Sequence, residues 1–416
     1  MKNWRTTCSI FLIYFLFAIM LNSVGTVILQ IINNFDLSKP AASVLEACKD
    51  LSIAGVSFIA ASYLPGIGYR KSMLIALGVM TVACVTMPLL PGFLTVRLFF
   101  ICVGMSFALV KVSVYSSIGL LTANKKEHAQ FMNVLEGIFM VGVLSGYWLF
   151  SAFIDSSDMK SSSWLNVYWV LAGLSALIFG LLYGAELDES EARPTTHEGQ
   201  QPGFFLMLSL MAKPAVYIFL ISAFLSVLIE QGVTSWLPTF NNEILKLPLA
   251  MSVQVTSILA ASTAIGRIGF GVLLKKINWY FLLNGCVLAM GAMVLLTLPA
   301  TRGMIAGQVS GWVDAPWAAF IFPLIGLFMA PVYPVINSLI LSALPKYQHS
   351  AMTGLIVIFS ALGGTTGSLI TGFTFSHLSG QTAFYLTLVP LTIILIALYF
   401  FKNELERHHM SQAVEA

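Results

Sequence analysis

Apolar runs of about twenty residues recur from one end of the chain to the other, each closed by a short polar, Pro- or Gly-bearing cluster. That length is what an α-helix needs to cross the hydrocarbon core of a bilayer. Breaking the chain at the clusters predicts twelve spans. They fall near 8–33, 40–64, 71–91, 96–121, 131–154, 164–184, 214–239, 250–273, 279–299, 315–343, 351–376 and 381–401. The pattern therefore predicts an all-α membrane protein of twelve transmembrane helices, with both termini on one side because the number is even.

Composition agrees. The chain has 416 residues, of which 58% are hydrophobic and 9% charged, whereas soluble domains carry roughly a quarter charged residues. The net charge of +3 is scattered over loops, which argues against a nucleic-acid partner. The five cysteines, Cys8, Cys48, Cys84, Cys102 and Cys286, stand in or beside apolar runs without metal-type spacing. Neither a disulfide framework nor a metal site is expected, and no cofactor. The N-terminal "MKNWRTTCSIFLIYFLFAIM" has a basic start but no small-residue cleavage site, so it reads as a retained first helix.

Lys and Arg set the orientation. Arg5, Arg70, Lys71, Lys125, Lys126, Lys275, Lys276 and Lys402, with others, fall on the side of the termini. Lys39, Arg97, Lys160, Lys246 and Arg302 lie at the opposite face. The positive-inside rule then puts both termini in the cytoplasm. With compact loops and no organelle-type leader, the expected location is a bacterial inner membrane, and the expected form a monomer.

One long polar interval, "GAELDESEARPTTHEGQQPG" (184–203), follows the sixth span. It divides the chain into a half over 1–184, a cytoplasmic loop over 185–213, a second half over 214–402 and a tail over 403–416. The halves echo each other. "LPGIGYRKSMLIALG" follows span two and "GRIGFGVLLKKINWYFLLNG" follows span eight, each with glycines and a basic pair in a short turn. Two pseudo-symmetric six-helix halves are the sign of a secondary transporter with a site near the bilayer midplane.

Twelve spans, the central loop and the paired basic turns resemble the major facilitator superfamily over the whole chain. The first turn departs from that family's signature, because "GIGYRKS" lacks its usual acidic residue. Within the superfamily the nearest resemblance is to the fucose–proton symporter group of sugar permeases. "LIEQGVTSWLP" (228–238) is similar to that group's seventh helix, "GLFMAPVYPVINSLIL" (326–341) to its tenth and "NVLEGIFMVG" (133–142) to its fifth. The resemblance implies alternating access and substrate contacts from Asn133 and the following turn, where this chain has Glu136. It also implies contacts from Tyr333 on the tenth helix and a cavity or gate role for Glu230. The helix-1 acid of that group aligns with Thr26, so its proton coupling does not carry over intact.

Six ionisable residues stand within spans: Glu46, Lys49, Asp50, Lys111, Glu136 and Glu230. A cation at the centre of a spanning helix costs about 2.5–3.5 kcal/mol on insertion scales, so each should face the bundle interior or a partner. Lys111 reads as a substrate-binding cation, or as the ion-pair partner of Glu136 on the neighbouring span. Glu46, Lys49 and Asp50 share one helical face. They read as a self-neutralising cluster at an outer gate, with Asp50 and Glu46 as candidate proton carriers beside Glu136. Asn22, Tyr115 and Asn337 are uncharged candidates for substrate contact. Arg267, Arg70, Lys71 and Lys49 read as gating or structural residues. All six histidines fall in loops or at span ends, which leaves a carboxylate to carry any coupled proton.

The chain has no Walker-type glycine loop, nucleophile elbow or zinc pair, and an enzyme is not expected. The leading expectation is proton-coupled uptake of a small polar solute, sugar-like or an organic anion, by alternating access. The alternative is proton antiport exporting a drug, siderophore or metabolite. "GIFMVGVLSGYW" lacks the Gly-Pro and paired glycines typical of such exporters. A membrane sensor or scaffold without transport is the remaining reading.

Overall fold

A chain segment in hydrocarbon must satisfy its own backbone N–H and C=O groups, so the apolar runs can persist there only as helices. A computed structural model describes residues 4–122, 125–185, 187, 189, 209–301, 303–304, 309–344 and 348–415. In the first half it forms α1 (Trp4–Asn34), α2 (Lys39–Ile67), α3 (Tyr69–Leu89), α4 (Phe93–Leu121), α5 (Lys125–Ser151) and α6 (Ser163–Tyr183). The second half holds α7 (Pro214–Glu243), α8 (Leu249–Leu273), α9 (Trp279–Thr301), α10 (Trp317–Ala343), α11 (His349–His377) and α12 (Gly380–Glu404). Eleven of these are long and apolar enough to cross a membrane. The twelfth, α2, carries Glu46, Lys49 and Asp50; its 29 residues span about 44 Å at 1.5 Å per residue. Most of the predicted central loop lies outside the described residues, together with Arg302.

Local chemistry explains where helices start and break. Ser38 caps α2 by accepting from Ala41 N at 3.4 Å, with Pro40 in the first turn. The span predicted to run unbroken from 8 to 33 instead breaks at Asn22–Ser23. Asn22 Nδ2 donates to Ala18 O at 2.9 Å and Ser23 Oγ to Met20 O at 2.7 Å, so side chains at the break add bonds to the carbonyls of the preceding turn. The tenth span is likewise not one helix. A 3₁₀ turn at Phe322–Leu324 and an interruption before Val332 divide it, at Pro323 and Pro331.

The chain folds into two compact units, Met1–His197 with Pro248–Ser257, and Glu198–Leu247 with Ile258–Ala416. The early turns of α8 join the first unit, where Ala250 N donates to Ser156 Oγ at 3.1 Å and Gln254 Nε2 to Ser151 Oγ at 3.3 Å. Inside the units the same helix pairings recur: α1 on α5 and α7 on α11, α3 on α6 and α9 on α12. Glycines mediate the closest of them. Gly142 and Gly146 of α5 press on the α1 backbone at Phe15 and Ile19, while Gly363 and Gly367 of α11 press on α7 at Phe224 and Leu228. Gly104 of α4 meets Lys49 O of α2, and Gly326 of α10 meets Leu259 O of α8. Lipid tails are as apolar as Leu, so helices associate through close packing of small residues. The two non-glycine residues with positive φ among those described, Asp36 (51°) and Lys246 (57°), each stand in the turn after the first helix of a half.

The turn "GIGYRKS" obtains its missing acid from elsewhere in the chain. Arg70 N donates to Glu189 Oε1 at 2.7 Å, so this carboxylate covers the N-terminus of α3. Gly68 has φ 95°, and a β-carbon there would meet Glu189 Oε2 at 2.6 Å. The Arg70 guanidinium turns the other way and donates to the carbonyls of Leu182 and Tyr183 at the end of α6. Arg70 therefore joins two helix ends, and Lys71 beside it is exposed.

A β-carbon on Gly367 would run into Leu228 O, and one on Gly142 would come within 2.6 Å of Phe15 O. We expect Gly367→Ala and Gly142→Ala each to lower stability by about 1–3 kcal/mol through overpacking. Gly285, with open space around its α-carbon, should accept Ala without loss. Thermal unfolding of the purified protein compares the three.

Candidate functional site

Helix α4 shows two unlike faces. Leu94, Leu98 and Met105 are exposed apolar residues on the side suited to lipid. At about 100° per residue, Lys111 lies roughly 120–140° around the helix from Leu98 and Met105. Phe107 and Tyr115, one turn on either side, share its face. Lys111 Nζ stands 5.9 Å from the Phe107 ring centroid and 6.0 Å from that of Tyr115. These rings pack inward on α1 and α5, with Tyr14 6.4 Å from Phe107, 6.2 Å from Tyr115 and 6.0 Å from Phe139. The lysine thus belongs to the inner face of its half.

Tyr115 and Glu136 meet directly, the phenol donating to Oε1 at 2.9 Å. Glu136 also lies within electrostatic range of Lys111 and Tyr14. The direct ion pair between Lys111 and Glu136 that the sequence allows does not form; among the described residues Lys111 has no ion pair. Its ammonium leans on two ring faces, an attraction worth about 0.5–2 kcal/mol. That offsets only part of the roughly 2.5–3.5 kcal/mol insertion cost. Asn133 stands exposed, one turn before Glu136 on α5.

The glycine contacts give the register between halves, and it brings two more candidates into equivalent positions. Lys111 and Tyr333 each follow their contact glycine, Gly104 or Gly326, by seven residues. Tyr115 and Asn337 each follow by eleven. Phe139 corresponds to Ser360, three residues before Gly142 and Gly363 respectively. Tyr333 Oη and Ser360 Oγ share a hydrogen bond of 2.7 Å. Asn337 Oδ1 is buried without a hydrogen-bond partner among the described residues. Glu230 lines a cavity of about 10 Å³ with Ser226, Met290, Met329 and Tyr333, a space that holds about one water. The rest of the helix-7 motif holds helices together. Gly232 presses on α11, and buried Trp236 donates Nε1–H to Ser368 O at 3.0 Å.

The α2 charges form a separate, closed group. Glu46, Lys49 and Asp50 are 0%, 5% and 7% exposed. Lys49 Nζ pairs with Glu46 Oε1 and stands 3.5 Å from Asp50 Oδ1. Two acids thus face one base. Removing one member of a buried pair costs about 3–5 kcal/mol, because it strands the other charge. Buried Tyr147 of α5 lies within electrostatic range of Glu46.

The remaining candidates are dispersed. Asn22 serves the α1 break, Thr26 is buried in α1, and Arg267 is exposed on α8. His377 stacks on Phe373 at the end of α11, with centroids 4.1 Å apart; the other five histidine side chains lie outside those described. No cluster of His, Cys, Asp or Glu able to hold a metal occurs among the described residues. Sequence reasoning passed over Phe107, Phe139, Tyr14 and Ser360. The spacing of Phe107, Lys111 and Tyr115 was a readable signal; for the others only tertiary contact supplies one.

The sequence profile described as Major Facilitator Superfamily matches residues 10–322 and 303–415. Among solved structures, the nucleoside transporter NupG is similar at 11% identity, with 96% of this chain and 98% of that one covered and a TM-score of 0.71. A D-xylose–proton symporter is similar at 16% identity, covering 96% and 97%, with a TM-score of 0.71. A bacterial homolog of the human lysosomal transporter Spinster, inward-facing and unoccupied, is similar at 16% identity, covering 99% and 98%, with a TM-score of 0.72. At these identities the likeness is one of fold. No curated protein matches the chain in sequence.

Tyr115→Phe keeps the ring beside Lys111 and removes only the donor to Glu136. We expect a loss of about 1 kcal/mol in stability. Tyr115→Leu, which removes the ring as well, should lose more; thermal unfolding of the two variants separates the contributions.

Proposed function

Given that the chain belongs to the Major Facilitator Superfamily, we propose that it carries a small polar solute, sugar-like or an organic anion, inward together with protons. One observation carries this reading: a membrane-embedded cation, Lys111, stands on the inner face of its half without an ion pair, flanked by rings and a carboxylate. An intramembrane charge that packing does not neutralise is a functional site by default. In the carrier, solute replaces the partner that Lys111 lacks. Asn133, Glu136 and Tyr115 are the candidate contacts of the first half; Tyr333, Asn337 and Glu230 are candidates within the second, and Asn22 is a further one in α1.

Proton coupling is assigned to carboxylates. Glu136 is the one at the site, and Glu46 and Asp50 are further carboxylates, buried in α2. The repeated pairing of glycines supports six-helix halves over 1–184 and 214–402, joined by a cytoplasmic loop over 185–213. The Lys and Arg asymmetry supports cytoplasmic termini in a bacterial inner membrane. Arg70 and Arg267 are assigned to the cytoplasmic ends of this machinery.

Reconstituted into proteoliposomes, Lys111→Ala should abolish flux while its elution profile and helicity match the wild type. Normal flux in that variant removes Lys111 from the site. Glu136→Gln should retain solute exchange and lose proton-driven accumulation; loss of exchange as well would reassign Glu136 to ligand binding or structure.

A further inference from the structure

We infer that the α1–α4–α5 site takes a singly charged, hydroxylated carboxylate, in chemical class a sugar acid, in preference to a neutral sugar or a dianion. The inference rests on the transport reading and on its assignment of the coupled proton to Glu136. Three observations carry it.

First, the Lys111 ammonium has three donors and no ion pair among the described residues. It rests on the faces of Phe107 and Tyr115. A neutral sugar offers that ammonium only hydroxyl acceptors, whereas a carboxylate offers a charged one. Second, Glu136 accepts one hydrogen bond, from Tyr115, and a carboxyl group keeps further acceptor capacity whether ionised or protonated. The free capacity suits hydroxyl donors on the ligand. Phe107 and Phe139, with ring centroids 6.3 Å apart, offer apolar surface to the C–H face of a ring or carbon chain.

Third, charge balance sets an upper limit on the ligand's charge. The titratable groups facing Glu136 are Lys111 and Tyr115 from α4 and Tyr14 from α1. With the phenols neutral, the empty site holds one positive and one negative charge. A monoanion brings the sum to minus one, and a proton on Glu136 returns it to zero. A dianion leaves an uncompensated charge even then, in a setting where isolated charge is costly. One cation and one proton match one negative charge.

The test measures binding of D-glucose, D-glucuronate and D-glucarate to the purified full-length protein, a series that carries zero, one and two negative charges. We expect glucuronate to bind on the order of tenfold tighter than either neighbour. In Lys111→Gln the preference over glucose should vanish, while Lys111→Arg should keep part of it. Glucose binding as tightly as glucuronate, glucarate binding tightest, a preference that survives Lys111→Gln, or no binding of any of the three overturns the assignment. Flux assays separate it from the broader reading. Lys111-dependent uptake of a different solute class leaves transport standing and the sugar-acid class overturned. Lys111-dependent glucuronate binding with no flux leaves the site standing and the transport reading overturned.

Discussion

Hydrocarbon offers no partner to a polar group, and the rest of this structure follows from that constraint. It makes every span a helix, because only a helix satisfies its backbone internally. It dictates how helices are interrupted: at Asn22–Ser23 the side chains themselves bond to Ala18 O and Met20 O. The same constraint removes any apolar driving force between helices, so association must come from close contact. Gly104, Gly142, Gly326, Gly363 and Gly367 supply that contact by bringing one helix onto the backbone of another.

Those glycine contacts also explain how two halves with little obvious sequence likeness hold their candidate residues in equivalent places. Each half needs one helix pressed on another at fixed points, and the contacts fix the register of everything further along the helix. Lys111 and Tyr333 share a position for that reason, as do Tyr115 and Asn337. The side chains at the shared positions differ, and so the halves differ in chemistry. The first offers charge and ring faces; the second offers hydroxyl and amide groups beside a water-sized space.

Helix number, order and approximate extent were legible because a span must be long and apolar whatever packs against it. The start of α2 was legible in Ser38 and Pro40, since a cap is local chemistry. The interior breaks of α1 and α10 were not taken from the sequence, although Pro323 and Pro331 stood in plain view. A proline inside an apolar run is tolerated when neighbouring helices serve the released carbonyls, and hydropathy does not report neighbours. The acid missing from "GIGYRKS" was read as a loss. Its replacement, Glu189, lies well over a hundred residues away in sequence, a distance that no local motif covers. The sequence left a direct pairing of Lys111 with Glu136 open; in the fold Tyr115 is the group that bonds Glu136.

The two charge groups of the first half carry the same residue types and reach opposite solutions, and the contrast assigns their roles. On α2, Lys49 lies between Glu46 and Asp50, all three nearly sealed from solvent. Such a group recovers much of its desolvation cost through short-range attraction, and breaking it leaves a stranded charge. It can hold its geometry with no ligand present. On α4, Lys111 leans on ring faces, whose attraction of about 0.5–2 kcal/mol falls short of a cation's insertion cost, and Glu136, within electrostatic range, is hydrogen-bonded to Tyr115 instead. Packing alone supplies no reason for a lysine there, since a Leu at that position would avoid the penalty and extend the apolar contacts of Phe107. On the transport reading proposed above, the open pair is the one that a solute completes, whereas the α2 group is held by its own ion pairs.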